Sequence, residues 1–257
     1  MFIFKHCSLP ILLFFLTTVQ PAFAHFGMVL PSTQAVNSQD EENITVDLMF
    51  WHPFENKGMN LERPTSFVAY QNGQKTDLTS KLQAAKIGNS QIWRTNYTVN
   101  KPGLLTLVMQ PAPYFEEAED LYKVHYTKAY VAAFGQDEGW DKPLGLKTEI
   151  LPLTKPYALY ADNLFQGIVL LDGKPVPNAE VEVEHYNARS NSSPNDFLTT
   201  QTIKADKNGV FSYAMPASGW WGFAALNEDS KTILRNNEPK KVELGAVLWL
   251  YAYPFEK

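Results

Sequence analysis

Turn signals cut this chain into pieces too short to be helices. Asn72-Gly73, Asn100-Lys101-Pro102-Gly103, Asp172-Gly173 and Asp206-Lys207-Asn208-Gly209 each supply residues that accept positive φ or fix a bend. The runs between them alternate with period two. Ile44, Val46, Leu48 and Phe50 interleave with Thr45, Asp47 and Met49, which predicts a half-buried strand ending in the loop Trp51-His52-Pro53-Phe54-Glu55. Val181, Val183 and His185 interleave in the same way with Glu180, Glu182 and Glu184. Further strands are predicted over 66–70, 92–99, 104–110, 122–134, 148–153, 164–171, 210–215, 220–226 and 242–251, with 92–99 and 104–110 paired through the turn between them. Residues 77–86 read as a short helix or turn. Turns roughly every eight to twelve residues, without a sustained helical period, predict an all-β chain of β-sandwiches. The pattern changes after Pro156, so two domains are expected, 25–155 and 156–257.

The first 24 residues have the layout of a secretory signal. Lys5 and His6 form a basic start, 9–16 is apolar apart from Pro10, and Ala22-Phe23-Ala24 is a small-residue cleavage site. The apolar run is well short of the roughly 20 residues that a membrane helix needs. An exported, periplasmic product beginning at His25 is therefore expected. Cys7, the one cysteine, leaves with the signal, and with it go disulfides, thiolate ligands and thiol nucleophiles. The formal charge of −5 becomes more negative by the loss of Lys5, a poor balance for binding nucleic acid. The apolar stretch 245–255 is too short to span a bilayer, so no transmembrane helix is expected after cleavage.

Cleavage after Ala24 makes a histidine the first residue, and that residue type in that place is a chelator. The α-amine and the imidazole nitrogen close one ring on a divalent transition metal. The amine, with an ordinary pKa near ~8, loses its proton to a metal more readily than a lysine does. Gly27 stands where an amide-wrapped square-planar site would require another histidine. His52, at a strand end, and His125, within 122–134, are the further candidate ligands, each weighed against an ordinary structural histidine. Glu55 is a weaker candidate, as ligand or as acceptor for an imidazole N–H. His185 alternates with Val181 and Val183, which favours packing. Glu116, Glu117, Glu119 and Asp120 read as a solvated acidic loop, with attraction of cations as the second reading. No G-x-S-x-G elbow, P-loop or H-E-x-x-H helix is present, so a non-enzymatic protein is expected.

The stretch Gly167-Ile168-Val169, with Asp172-Gly173-Lys174-Pro175-Val176-Pro177-Asn178-Ala179-Glu180-Val181 and Asp206-Lys207-Asn208-Gly209-Val210-Phe211, resembles transthyretin-like or Cna-B-like sandwich modules. That resemblance implies immunoglobulin-like or Cna-B-like sandwiches. The whole mature chain resembles exported proteins with a DUF4198-type domain, described as periplasmic components of nickel or cobalt uptake systems (NikK-like). His25-Phe26-Gly27-Met28, His52-Pro53-Phe54-Glu55, His125-Tyr126-Thr127-Lys128, Gly139-Trp140-Asp141 and Gly219-Trp220-Trp221-Gly222 carry it. The resemblance implies nickel or cobalt as the metal, whereas the donors alone allow copper and zinc equally. It also implies membrane transporter subunits as partners. Some relatives carry a C-terminal membrane helix and this chain ends without one, so docking as a separate subunit is expected. Two other classes stay open: an exported structural or adhesive sandwich protein, and a copper enzyme, since a leading histidine plus a second one resembles the copper brace of polysaccharide monooxygenases.

Overall fold

The structure, a computed structural model, describes residues 25–255. The expected signal segment and its cut after Ala24 lie outside the described residues. Among the described residues helix is limited to three 3-10 turns, Gln39–Glu41, Thr79–Lys81 and Asp196–Leu198. Among the described residues no helix is long and apolar enough to cross a membrane. The chain is all-β, as the alternation predicts.

A central sheet organises the molecule. Along its main path lie Gln201–Lys204, Glu180–His185, Gly219–Glu228, Val242–Tyr253, Leu121–Ala133, Gly103–Gln110, Ser66–Gln71 and Gln74–Asp77. Neighbouring side chains on a strand point to opposite faces, so each face requires a cover. On one face Tyr130, Leu248 and Leu250 join Ile150, Phe165, Val169 and Phe211 beneath a four-stranded sheet that contains Thr148–Pro152, Leu164–Leu171 and Val210–Ala214. On the other face Leu105, Leu107, Ala129 and Val131 meet Val29, Val46 and Leu48 of a five-stranded sheet. That sheet runs from Phe26–Pro31 through Asn43–His52 and Ser90–Thr98 to Gln83–Ile87. Phe26, Met28, Met49, Trp51, Val247 and Trp249 fill a third cluster between these layers.

Strands from either side of residue 155 share sheets. Leu121–Ala133 and Val242–Tyr253 pair in parallel, from Tyr122 opposite Val242 to Ala129 opposite Trp249. Thr148–Pro152 pairs with Leu164–Leu171 across the proline-bearing stretch.

Two local expectations need correction. Ser90–Thr98 and Gly103–Gln110 do not pair with each other. The first pairs with Asn43–His52 and Gln83–Ile87, the second with Ser66–Gln71 and Leu121–Ala133, so the turn at 99–102 carries the chain between layers. Residues 77–86 hold one 3-10 turn and then a strand, because Gln83–Ile87 finds an edge to pair with at Ser90–Thr98. The Asn72-Gly73 hairpin forms as expected, with φ of 52° and 72° at its two central residues.

The cover over Lys128 and Glu149 leaves each only 1% exposed, with Nζ and Oε2 2.7 Å apart. Glu149 also accepts the N–H groups of Leu144 and Gly145.

Candidate metal centre

The register of the first strand brings two of the expected ligands together. Phe26 lies opposite Trp51 in the antiparallel pair, so one step further along, His25 faces His52. Their ring centroids are 4.3 Å apart. A carboxylate stands on each side: Glu116 Oε2 is 3.6 Å from His25 Nε2, and Glu55 Oε2 is 3.7 Å from His52 Nδ1. Phe50 stacks on the His25 ring at 5.6 Å, with Tyr114 at 6.0 Å. The pair therefore sits in an aromatic niche with anionic flanks. Partial burial raises the pKa of Glu55, and Lys57 lowers it against a further rise from Asp196.

The turn after His52 is held from the other half of the chain. Phe54 N–H donates to Glu184 Oε2 at 3.1 Å, and Asn187 N–H donates to the Pro53 carbonyl at 3.1 Å. Asn187 Nδ2 donates to the Phe54 carbonyl at 2.9 Å. Glu184 is 2% exposed, so the glutamate face of its strand is covered rather than solvated at this point. Burial pushes its carboxyl up to about 8, against the lowering effects of the Thr200 hydroxyl and the Phe54 N–H. Burial, then the Glu243 charge, pushes Glu182 up to about 7. The native state thus keeps protons that the unfolded chain gives up near the ordinary value of 4.5. This contribution to stability is fully present below that value and is lost as pH rises towards 8. Denaturation midpoints measured between pH 5 and 8 are expected to fall with pH, and E184Q is expected to flatten the fall; an unchanged slope in E184Q refutes the assignment.

His125 lies at the middle of Leu121–Ala133 and is 3% exposed. It accepts the Gly27 N–H at Nδ1, at 3.3 Å. Its Nε2 is buried and has no hydrogen-bond partner. Burial, then the charges of Lys123 and His25, takes its pKa down to about 3, so the ring is neutral. Gly245 lies directly opposite it in the parallel pair, and a Cβ there would come within 2.5 Å of the imidazole. The close approach of the ring to the sheet therefore requires glycine at 245. His125, Phe50 and Tyr114 form part of the wall of a cavity of about 360 Å³.

The structure thus brings His25, His52 and Glu55 into contact, with His125 behind Phe50 at a ring distance of 6.1 Å. His185 stands apart, packed on Trp221 at 4.8 Å with Nε2 3.1 Å from the Ser218 carbonyl. Glu116 is the residue that sequence reasoning grouped with a solvated loop. Its neighbours in that loop are paired internally: Glu117 with Arg235, Glu119 with Lys123, and Asp120 with Lys240. Glu116 alone of the four turns to His25, and its strand position at Tyr114–Glu116 gives the signal: a short β run ahead of the acidic turn. Among the described residues no three His, Cys, Asp or Glu side chains are placed to enclose a metal ion. In the uncut chain the His25 nitrogen is a peptide amide, which is not a basic donor.

No functionally curated protein matches the chain. Among solved structures, the D0-D1 domain of intimin aligns over 89% of this chain and 100% of its own, at 14% identity and a TM-score of 0.26. The fibronectin(III)-like modules of Clostridium thermocellum CbhA align over 88% and 95%, at 7% identity and a TM-score of 0.22. Similarity this low carries no argument about function. The family model for a domain of unknown function, DUF4198, matches residues 22–229, most of the chain, with His25, His52, His125 and His185 among them; the protein belongs to that family.

Proposed function

We propose that this protein, cut after Ala24, is an exported, non-enzymatic binding protein for a divalent transition metal and delivers it to a membrane uptake transporter. The observation that carries the reading is the facing pair His25 and His52, with ring centroids at 4.3 Å. The amine freed at His25 adds the third donor that the side chains alone do not supply. Glu116 and Glu55 act as carboxylate ligands or as acceptors that orient the imidazoles. Such a nitrogen-rich set suits nickel, cobalt, copper or zinc over magnesium or calcium. Nickel or cobalt is favoured on the resemblance to NikK-like periplasmic proteins, which is also the basis for the transporter as partner.

Metal titration by calorimetry tests this with two proteins, one beginning at His25 and one with a single residue ahead of it. The expected result is one tightly bound metal, weakened by more than about tenfold in the extended protein. His52→Ala is expected to weaken the first protein by a similar factor. Equal binding by both proteins removes the amine as a ligand. Absence of binding in both returns the protein to the class of exported structural sandwiches. Consumption of oxygen and reductant with a polysaccharide present would place it among copper enzymes instead.

A further inference from the structure

We propose that Arg235 is a positioning residue for Glu116: it holds the segment around that glutamate so that the carboxylate is aimed at His25. That this strengthens metal binding rests on the function proposed above; the geometry of the hold does not.

Glu116 stands on a short piece of sheet. Its strand, Tyr114–Glu116, has three residues and pairs with 121–123, the start of a much longer strand. The turn that follows bends back through Asp120, at a φ of 56°. Two strands of this length are marginal by themselves, so they do not fix a carboxylate.

The rest of the hold comes from far along the chain. Ile233–Arg235 and Glu238–Lys240 form a hairpin in which side chains alternate between two faces. Ile233 packs with Tyr122, Val124 and Val242, which seats the hairpin beside the acidic turn. Leu234 points away and is 69% exposed. Arg235 returns to the seated face. Its guanidinium carbon lies 3.6 Å from the centre of the Phe115 ring, and the same group pairs with the Glu117 carboxylate. Phe115 and Glu117 are the residues on either side of Glu116. One flat cation thus grips both, and the residue between them is turned the other way, where its Oε2 stands 3.6 Å from His25 Nε2. The second oxygen, Oε1, accepts the Ala118 N–H at 3.3 Å, so the shape of the turn sets the rotation of the carboxylate. Lys240 pairs with Asp120 at 2.9 Å and ties the far end of that turn to the same hairpin.

An exposed ion pair such as that of Arg235 with Glu117 adds little stability alone. Its effect is on where Glu116 points, and charge and position predict opposite results. Removing a cation near a metal site strengthens the attraction for another cation. Releasing Glu116 weakens binding, as loss of groups that orient ligands does.

The test uses protein beginning at His25. Arg235→Gln is expected to bind nickel about tenfold more weakly in calorimetry with the bare metal ion as titrant. Glu116→Gln is expected to weaken binding as well, and adding Arg235→Gln to it is expected to cause no further loss. NMR of the metal-free protein gives a reading that needs no metal. The Ala118 amide is expected to exchange about tenfold faster in Arg235→Gln, and the His25 ring signals to move in the same direction as in Glu116→Gln. Glu117→Gln breaks the same pair from its exposed side and is expected to give the same metal-free changes, so a folding defect in one variant does not hide the result. Unchanged Ala118 exchange and His25 signals overturn the inference. So does nickel affinity that is unchanged or raised in Arg235→Gln, or a loss that adds in full to that of Glu116→Gln. Absence of nickel binding in the unaltered protein defeats the proposed function instead, and the metal-free signals then decide whether Arg235 aims Glu116.

Discussion

Replacing Glu149 with alanine lowers the unfolding free energy by about 3–5 kcal/mol in equilibrium urea denaturation. The size follows from what is left behind. Lys128 is as buried as its partner, and its ammonium group lies 2.7 Å from the lost carboxylate. Without that carboxylate the ammonium has the Tyr130 ring at 6.0 Å as a weak substitute, and must shed its proton or draw in water. Leu144 and Gly145 lose an N–H acceptor at the same time. Replacing both charges, as Lys128→Met with Glu149→Leu, is expected to recover most of the loss, since the pair's own attraction is largely cancelled by its desolvation. A loss below about 1 kcal/mol in Glu149→Ala would mean that the pair is hydrated and that the four-stranded sheet does not cover it.

Trp249→Ala is expected to cost a similar amount, about 3–5 kcal/mol, and to reach the candidate centre as well. Trp249 is fully buried, meets the Phe26 ring edge-on at 5.9 Å and donates through Nε1 to the Gly27 carbonyl at 2.9 Å. It ties the last strand of the fold to the residues that follow His25. The alanine variant leaves a large cavity under the first strand and frees its start, so metal affinity is expected to fall together with stability. Trp249→Phe keeps most of the volume and removes the hydrogen bond, for a cost of about 1 kcal/mol. Unchanged stability in Trp249→Ala, read from the same urea curves, would sink the packing assignment.

The strands were legible in the sequence because their alternation is local. Asn43–His52 and Leu164–Leu171 fall where the pattern places them, and the Asn72-Gly73 turn takes the backbone its residues favour. The pairing of strands was less so. A turn sequence such as Asn100-Lys101-Pro102-Gly103 says that the chain bends, not which sheet it bends towards, and here it changes layers. Covers contributed from far along the chain were not legible at all. Glu184 looks solvent-facing from its own strand, and the turn that buries it comes from Phe54. Lys128 reads as one more polar residue on a long strand until Thr148–Pro152 lies over it. At the candidate centre, His25 and His52 were visible as chelating residue types. Glu116 was not, because its acidic neighbours are drawn away by Arg235 and Lys240, which belong to a distant hairpin.

The parallel pairing of Leu121–Ala133 with Val242–Tyr253 also sets an order of events during synthesis. Until the last strand emerges, the middle of Leu121–Ala133 is an open edge with unpaired N–H and C=O groups, and the His125 ring has no Gly245 beneath it. Closing so long a loop is slow, and the waiting edge is prone to pair with another chain. A nascent chain halted before Val242 should therefore need a holding chaperone, and the histidine niche is among the last parts of the molecule to mature.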